Sequence, residues 1–377
     1  MKFKSINFTC QSCGAPLRFN PIANTLQCEF CSSKESIETS LETIQEYDLQ
    51  NALNSLENSN TQEINKEVTC NKCAATFTMN PYSFSANCPY CDTPAIIDFV
   101  QEITPKSLLP FHISHKEAQE KFNKWLGSLW FAPSQLKKFV DGDEKLKGYY
   151  LPHWTYDADT TTYYQGQRGD IYYINVERET IVEGRRVRRT VKEPRIQWTP
   201  VSGYVNNSFD DVTIGASKTI SRTILENLTP WHTEVLVPFN KKYIAGFDSQ
   251  EYTVGLDNGF ELAKIKMNRV IEQHIRRAIG GDQQQITNIE TEYKNTSYKN
   301  VLFPIWTAKF RWKNRTYNYA INGQTGKIVG ERPYSWLKIA ILIGTLSSVV
   351  GGAMYIDQHP NFLKNSYHQL KNRFTFR

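Results

Sequence analysis

The chain has 377 residues, 40% of them hydrophobic and 22% charged, so it is long enough for more than one core and too apolar to be disordered throughout. Its formal net charge is +6, but two tetrathiolate zinc sites would lower that charge to about +2. The net positive charge of the sequence therefore does not indicate nucleic-acid binding. No apolar segment of a signal peptide follows Met1, which predicts a cytosolic start and reduced cysteines.

The eight cysteines form two sets with the same spacing, C-x2-C-x14-C-x2-C, and the second set lies 60 residues after the first. Each set predicts a zinc ribbon, in which two knuckles supply four thiolates in a tetrahedron. We expect two structural Zn²⁺ ions, one in a ribbon over 1–35 and one in a ribbon over 67–100. The alternative, disulfides of a secreted domain, is disfavoured without a signal peptide. The predicted ligands are Cys10, Cys13, Cys28, Cys31, Cys70, Cys73, Cys88 and Cys91.

Residues 36–66 form an acidic linker between the ribbons. Asp48 is placed to cap a short helix that carries Leu49, Leu53 and Leu56 on one side. Two interpretations remain open for this helix: it docks on the rest of the chain, or it binds a partner.

Residues 101–333 predict an α+β body, rich in strands and with inserted helices. Ser114 and Glu117 form a capping box at the start of one helix. A second, longer amphipathic helix runs from Phe260 to Ile279 and is stopped by Gly280-Gly281.

The body contains a weak internal repeat. Leu151-Pro-His-Trp-Thr155 matches Phe303-Pro-Ile-Trp-Thr307, and Gly166-Gln-Arg-Gly169 matches Gly323-Gln-Thr-Gly326. We therefore predict two related β-units, each opening with a Pro-Trp strand and turning at a pair of glycines.

One stretch of the body is densely basic. Glu183-Gly184 predicts the turn of a long hairpin whose second arm carries the basic residues. A solvated hairpin that is protected by its charges from edge pairing is the simplest interpretation. Binding of anionic lipid headgroups or of nucleic acid is the alternative. The candidate anion-binding residues are Arg185, Arg186, Arg188 and Arg189, followed by Lys192 and Arg195.

The C-terminal region predicts a membrane segment. Ile339 to Ile356 is free of charge over 18 residues, about the minimum for a span, which favours a transmembrane or re-entrant helix over 334–357. The alternative is a buried core helix. Gly344, Ser348 and Gly352 recur every four residues and predict close helix packing, including self-association. A basic amphipathic tail over 358–377 would lie on anionic lipid.

No catalytic motif stands out, and we expect no enzyme. Gly323 to Lys327 hints at a phosphate loop, but the spacing is wrong and Ile328 replaces the Ser or Thr that would hold Mg²⁺.

Besides the ribbons, the chain carries a set of short motifs, which are Tyr47-Asp48-Leu49, Pro105-Lys106-Ser107, Trp130-Phe131-Ala132-Pro133, Pro152-His153-Trp154-Thr155-Tyr156-Asp157, Gly166-Gln167-Arg168-Gly169, Pro200-Val201-Ser202-Gly203, Gly280-Gly281-Asp282 and Asn322-Gly323-Gln324-Thr325-Gly326. Together with the ribbons, these motifs resemble the bacterial TFIIB-type zinc-ribbon membrane proteins, often labelled primosomal protein N′-like, up to about Trp336. The resemblance implies partners of the SPFH-domain and phage-shock protein A classes and no catalytic residues.

These observations predict an α+β protein with two tandem zinc ribbons, a β-rich body with inserted helices and a C-terminal membrane helix. The expected function is a non-enzymatic, membrane-anchored adaptor that recruits partner proteins at the cytosolic face of the cytoplasmic membrane, in envelope stress or membrane organisation. The alternative is a replication-related nucleic-acid-binding protein that uses the Arg185–Arg195 hairpin.

Overall fold

The computed structural model describes residues 1–38, 43–56, 65–129, 146–182, 185–312, 315–331 and 335–358. The helices are α1 Leu49–Leu56, α2 His115–Ser128, α3 Arg222–Asn227, α4 Leu256–Ile279 and α5 Trp336–Gln358, with a 3₁₀ turn at Thr233–Val235. The strands are β1 Lys2–Lys4, β2 Leu17–Asn20, β3 Thr25–Cys28, β4 Lys34–Ser36, β5 Tyr47–Asp48, β6 Lys66–Thr69, β7 Thr76–Met79, β8 Ser83–Asn87, β9 Pro94–Ile96, β10 Ser107–Leu108, β11 Lys147–Val182, β12 Arg185–Gly215, β13 Val237–Pro238, β14 Asp248–Gln250, β15 Gln283–Trp312, β16 Arg315–Asn322 and β17 Ile328–Gly330.

Three very long strands organise the body. In the described part of the chain, β11 pairs antiparallel with β12 on one side and with β15 on the other, and β15 continues into the β16 hairpin. Near its start, β11 also pairs in parallel with β14, which in turn pairs with β8 and β9 of the second ribbon. One sheet of eleven strands therefore joins the second ribbon to the body.

The two Pro-Trp segments of the internal repeat lie on neighbouring strands of this sheet, where they meet at their first residues and run away from each other. Leu151 is the direct register partner of Phe303, the first residue of the matching segment. Because the strands are antiparallel, Trp154 pairs with Asn300 and Trp306 with Gly148, and the two tryptophans belong to different hydrophobic clusters. Trp154 and Trp306 are both buried.

The first glycine pair of the repeat is not a turn. Gly166 and Gly169 lie inside β11, opposite β15 and β12. A Cβ at Gly166 would come within 2.5 Å of the Gln285 carbonyl oxygen, so this glycine permits close strand approach. The second glycine pair does belong to a tight turn, at Asn322, whose side chain accepts hydrogen bonds from the amides of Gln324 and Thr325.

The predicted helices are present, with small shifts of their ends. Both capping-box hydrogen bonds of α2 are formed by Ser114 and Glu117. Helix α4 begins four residues before Phe260 and buries Met267, Ile271 and Ile275. The Asp48 carboxylate caps α1 by accepting from the Asn51 amide at 2.7 Å.

Helix α1 docks on the body. Leu49 is buried, and Leu53 and Leu56 pack against the cluster that contains Trp154 and Tyr298. The apolar side of α1 is therefore occupied, which favours the docking interpretation over a partner-binding helix.

The largest hydrophobic core is shared by both ribbons and the body. It includes Leu26 of the first ribbon, Phe84 of the second, and Phe111 and Tyr150 of the body. The Phe111 ring stacks on Phe247 at 4.3 Å between centroids. Folding of the ribbons is thus coupled to folding of the body through buried apolar contacts.

The prediction of a C-terminal membrane helix is wrong. Among the described residues, no helix is both long enough and apolar enough to cross a membrane. Helix α5 covers the segment, but Gly344, Thr345, Ser347 and Ser348 interrupt its aliphatic residues. The Ser348 hydroxyl donates to the Gly344 carbonyl one turn away, at 2.8 Å.

The packing predicted for Gly344, Ser348 and Gly352 assumed that membrane setting, and the self-association expected there has no support from the fold. A Cβ placed on Gly344 meets no atom within 4 Å. The tail residues 359–377, like the Trp130–Pro133 motif, lie outside the described residues.

Candidate metal centres

The first four cysteines converge on one point. The Sγ atoms of Cys10 and Cys31 are 3.5 Å apart, as are those of Cys13 and Cys28. Cys10 and Cys28 are buried, whereas Cys13 and Cys31 are exposed. Each knuckle therefore contributes one inner and one outer sulfur.

The second four repeat this arrangement. Sγ separations are 3.7 Å for Cys70 and Cys91 and 3.8 Å for Cys73 and Cys88, and within each cluster all four sulfurs lie within 4.8 Å of one another. A zinc ion with Zn–S bonds of about 2.3 Å sets sulfurs about 3.8 Å apart in a tetrahedron. Both clusters fit Zn²⁺, and four sulfurs leave no open coordination position, so the sites are structural.

All four knuckles share one backbone device. The residue after the second cysteine has a positive φ, and its amide donates to the carbonyl of the first cysteine of the knuckle. Gly14 adopts this conformation at no steric cost, whereas a side chain is strained there. The four residues are Gly14, Ser32, Ala74 and Asp92, with φ of 70°, 59°, 57° and 55°.

One hydroxyl hydrogen-bonds the last sulfur of each ribbon. Ser33 Oγ lies 3.2 Å from Cys31 Sγ, and Thr93 Oγ1 lies 3.4 Å from Cys91 Sγ. The Ser33 hydrogen bonds lower the pKa of Cys31 to about 6. Burial raises the pKa of Cys91, but its hydrogen bonds with Thr93 outweigh burial and bring that pKa to about 6. Ser33 and Thr93 therefore both favour the thiolate form of the neighbouring cysteine, which is the form that binds zinc.

Arg18 ties the two ribbons together. Its guanidinium donates to the Asp92 carboxylate and carbonyl at 2.8 Å each and lies 3.4 Å from the Glu29 carboxylate. Glu29 belongs to the second knuckle of the first ribbon, and Asp92 directly follows the second knuckle of the second ribbon. The second knuckles therefore lie next to each other, and Arg18 is a link between them.

A buried ion pair ties the second ribbon to the body. Lys66 Nζ donates to Glu251 at 2.6 Å and to the Ser83 carbonyl at 3.0 Å. Glu251 also accepts from the Val100 and Gln101 amides. The Lys66 and Glu251 side chains are 1% and 3% exposed, so each depends on the other for its charge compensation.

Two exposed aromatic residues escaped the sequence analysis. Phe30 and Tyr90 lie between the cysteines of the second knuckles and are 77% and 69% exposed. They are 60 residues apart, so the shift that aligns the cysteines also aligns them. Applying that shift to every position of the ribbons would have found the pair.

A third group of carboxylates lies in the body. Glu46, Asp157 and Asp210 approach within 4.8 Å of one another, beside irregularities in the pairing of β11 with both neighbours. Lys299 Nζ lies 2.9 Å from Glu46 and 3.9 Å from Asp157 of this group, and 2.8 Å from the neighbouring Asp211. Lys299 compensates part of the negative charge and takes up carboxylate oxygens that a metal ion would need, so we assign no metal to this group.

The protonation of this cluster follows from Lys299. Its hydrogen bond lowers the pKa of Glu46. Burial raises the pKa of Asp157. Burial alone would lower the pKa of Lys299, but its bonds to Asp211 and Glu46 raise that pKa instead.

His153 of the Pro-His-Trp motif is a core residue. Its ring stacks on Phe303 at 4.4 Å, and Nδ1 lies 3.0 Å from the Leu151 carbonyl oxygen. Burial lowers its pKa to about 4, so the ring is neutral near pH 7. The Gly323 loop is structural as well, because its amides donate to Pro304 and Asn322.

The basic candidates lie on a hairpin arm, at its outer end. Arg186, Arg188 and Arg189 are exposed on β12, and Arg188 pairs with Glu179 at 3.2 Å. The Arg185 side chain and the Glu183-Gly184 turn lie outside the described parts.

The chain is similar to the uncharacterized protein YdjG of Bacillus subtilis strain 168, with 27% identity over 265 residues that cover 66% of this chain and 69% of that protein. No family model and no solved structure matches. The two four-cysteine clusters fit zinc ribbons, and this coarser part of the predicted resemblance stands.

Proposed function

We propose that this protein is a non-enzymatic zinc-ribbon scaffold that binds partner proteins through the second knuckles of its two ribbons. The observation that carries the proposal is the paired exposure of Phe30 and Tyr90. Large aromatic side chains dominate protein interfaces when a partner buries them. The zinc sites hold both knuckles in shape, and Arg18 holds them together.

The charge of the ribbons favours a protein partner over nucleic acid. Residues 1–38 and 65–98 carry six basic and six acidic side chains. Each zinc tetrathiolate adds two negative charges, which leaves the loaded ribbons near −4. Exposed Glu29 and Asp92 flank the aromatic pair. A partner segment with basic side chains beside apolar ones complements this surface.

The resemblance seen in the sequence supplies the partner classes of this proposal, which are SPFH-domain proteins and phage-shock protein A-like proteins. Recruitment of such partners would place the scaffold in envelope stress or membrane organisation. The TFIIB-type family assignment is part of the same proposal.

The test is co-purification with the tagged, zinc-loaded full chain. We expect the Phe30→Ala/Tyr90→Ala double variant to lose specific partners at least tenfold, because hot-spot truncations typically cost 2 kcal/mol or more. Tyr204→Ala is the matched control, since Tyr204 on β12 is also 69% exposed. Both variants should keep two zinc ions per chain. Equal recovery of every partner from the double variant and the wild type would contradict the proposal.

Nucleic-acid binding through the Arg185–Arg195 hairpin is the less favoured function. The hairpin also carries exposed aliphatic side chains such as Val187 and Val191, which a phosphate backbone would leave without an apolar contact. Arg178 and Arg195 share one carboxylate, that of Glu193, and Arg188 pairs with Glu179. Binding to duplex DNA that falls steeply with salt would support this function instead.

A further inference from the structure

The β11–β12 hairpin extends well beyond the sheet. Pairing of β11 with β15 ends at Gly169, but β11 and β12 remain paired for 13 more residue pairs, from Asp170–Gln197 to Val182–Arg185. At about 3.3 Å per residue, this two-stranded arm is about 40 Å long. Isolated two-stranded ribbons are marginally stable in water, so a surface that covers the arm would stabilise it.

The two faces of the arm differ. Alternate residues point to opposite sides, and register partners point to the same side. We define the aliphatic face as Tyr172, Ile174, Val176, Arg178 and Thr180 with Val187, Arg189, Val191, Glu193 and Arg195. Over the same stretch, the opposite face carries Tyr173, Asn175, Glu177 and Glu179 with Arg186, Arg188, Thr190, Lys192 and Pro194, so its aromatic side chain, Tyr173, lies at the base of the arm and the described side chains that follow outward are polar or charged.

The aliphatic face has no cover among the described residues. Val187 and Val191 are 39% and 43% exposed, and Ile174 and Val176 are half-buried. None of these four residues belongs to the hydrophobic clusters that the described residues form. Arg178, Arg189 and Arg195 border the aliphatic side chains on the same face. Glu193 pairs with Arg178 at 3.3 Å and with Arg195 at 3.1 Å, so three arginines and one glutamate leave this face with a net charge of +2.

We infer that the aliphatic face of the arm lies on an anionic lipid surface. Arginine side chains pair with phosphate headgroups while neighbouring aliphatic side chains enter the interfacial region. The acidic residues Glu177 and Glu179 point away on the opposite face, where such a surface would not repel them. Phosphate alone, as in nucleic acid, would leave the valines without an apolar environment. Edge pairing with a second copy is opposed on β12 by Pro194 and its charged residues, and on β11 by Asp170 and the charged run Glu177 to Glu179.

The test is co-sedimentation of the zinc-loaded full chain with vesicles of phosphatidylcholine and phosphatidylglycerol. We expect binding to these vesicles and none to phosphatidylcholine alone. Each basic residue near an anionic leaflet is worth about fivefold in partitioning. The triple variant Arg178→Gln/Arg189→Gln/Arg195→Gln should therefore bind on the order of 100-fold more weakly.

The matched control is Arg186→Gln/Arg188→Gln/Lys192→Gln, which removes the same charge from the opposite face. We expect it to change partitioning by no more than about threefold, because those groups lie away from the leaflet. Val176→Thr/Val191→Thr keeps β-branched side chains and should weaken binding even at high salt. All variants should keep their zinc content and melting temperature.

Three outcomes would overturn the inference. One is absence of binding to the anionic vesicles. Another is an equal loss from both triple variants, which would indicate diffuse attraction to the whole arm. The third is binding to duplex DNA, without vesicle binding, that depends on the same three arginines.

Discussion

The two ribbons share a cysteine frame but join the body differently. The first ribbon keeps its own sheet of β2, β3 and β4. It meets the body through a backbone hydrogen bond from the Phe19 amide to the Ala245 carbonyl at 2.9 Å and through side-chain contacts, such as the Phe19 ring 5.3 Å from Tyr243, but none of its described strands joins the large sheet. The second ribbon is divided: β6–β7 pairs with β1, and β8–β9 belongs to the large sheet. Two ribbons with the same metal ligands are therefore joined to the body to different extents. The second ribbon is joined more strongly, because its strands pair with the large sheet.

Loss of zinc should produce the largest difference between the two ribbons. Cys13→Ser and Cys73→Ser change equivalent, exposed sulfurs. Structural zinc supplies on the order of 10 kcal/mol of apparent binding free energy in finger peptides. We expect Cys73→Ser to remove hydrogen-exchange protection from β6 through β9 and from β14, and Cys13→Ser to affect β2, β3 and β4. If both variants lose hydrogen-exchange protection over the same strands, the two ribbons do not differ in how they are joined to the body.

The buried ion pair gives the next largest effect. Lys66→Met leaves the Glu251 carboxylate buried without a countercharge, and we expect it to lower the free energy of unfolding by about 3–5 kcal/mol. Arg18→Met, in the other ribbon, removes contacts to exposed carboxylates and should cost about 1 kcal/mol. Urea denaturation measures both.

A rescue variant makes this second comparison stricter. Lys66→Met/Glu251→Met should recover most of the loss, because no uncompensated charge remains. If the double variant is no more stable than Lys66→Met, the single loss reflects packing, and the charge pair does not couple the second ribbon to the body.

A smaller difference is expected from the hydroxyls beside the sulfurs. Ser33→Ala and Thr93→Val each remove a group that hydrogen-bonds the last sulfur. Such outer-shell changes typically lower metal affinity 10- to 100-fold. Competition with a chelator should show about a tenfold loss of zinc affinity for Ser33→Ala. The loss should be larger for Thr93→Val, because Thr93 is fully buried. A larger loss of zinc affinity in Ser33→Ala than in Thr93→Val would contradict this prediction.

The smallest effect comes from the knuckle backbone. Gly14 and Ala74 occupy equivalent positive-φ positions, and a Cβ at Gly14 meets no atom within 4 Å. Gly14→Ala should therefore cost about 1 kcal/mol from backbone strain alone. Ala74→Gly should be neutral or slightly stabilising, since relief of strain offsets the added chain entropy. Thermal denaturation of the zinc-loaded protein distinguishes these outcomes.

Sequence patterns correctly predicted the features that depend on residues close together in the chain. Ligand spacing, the Ser114 cap, the Asp48 cap and the stop at Gly280 each depend on residues a few positions apart, and each appears as predicted. The repeat was only half informative, because its Gly166 copy serves strand approach and its Gly323 copy serves a turn. The uncharged C-terminal run was misread, since absence of charge is not the same as sufficient apolarity.

The sequence by itself determined the two tetrathiolate sites, because a ligand set separated by short, repeated spacings needs no distant residue to specify it. It also contained the Phe30 and Tyr90 pair, through the same 60-residue shift. Tertiary structure decided what those sites join. Arg18 meets Asp92 across 74 positions, and Lys66 meets Glu251 across 185. Which strands pair, and so which faces stay uncovered, depends on such long-range contacts, which no local pattern encodes.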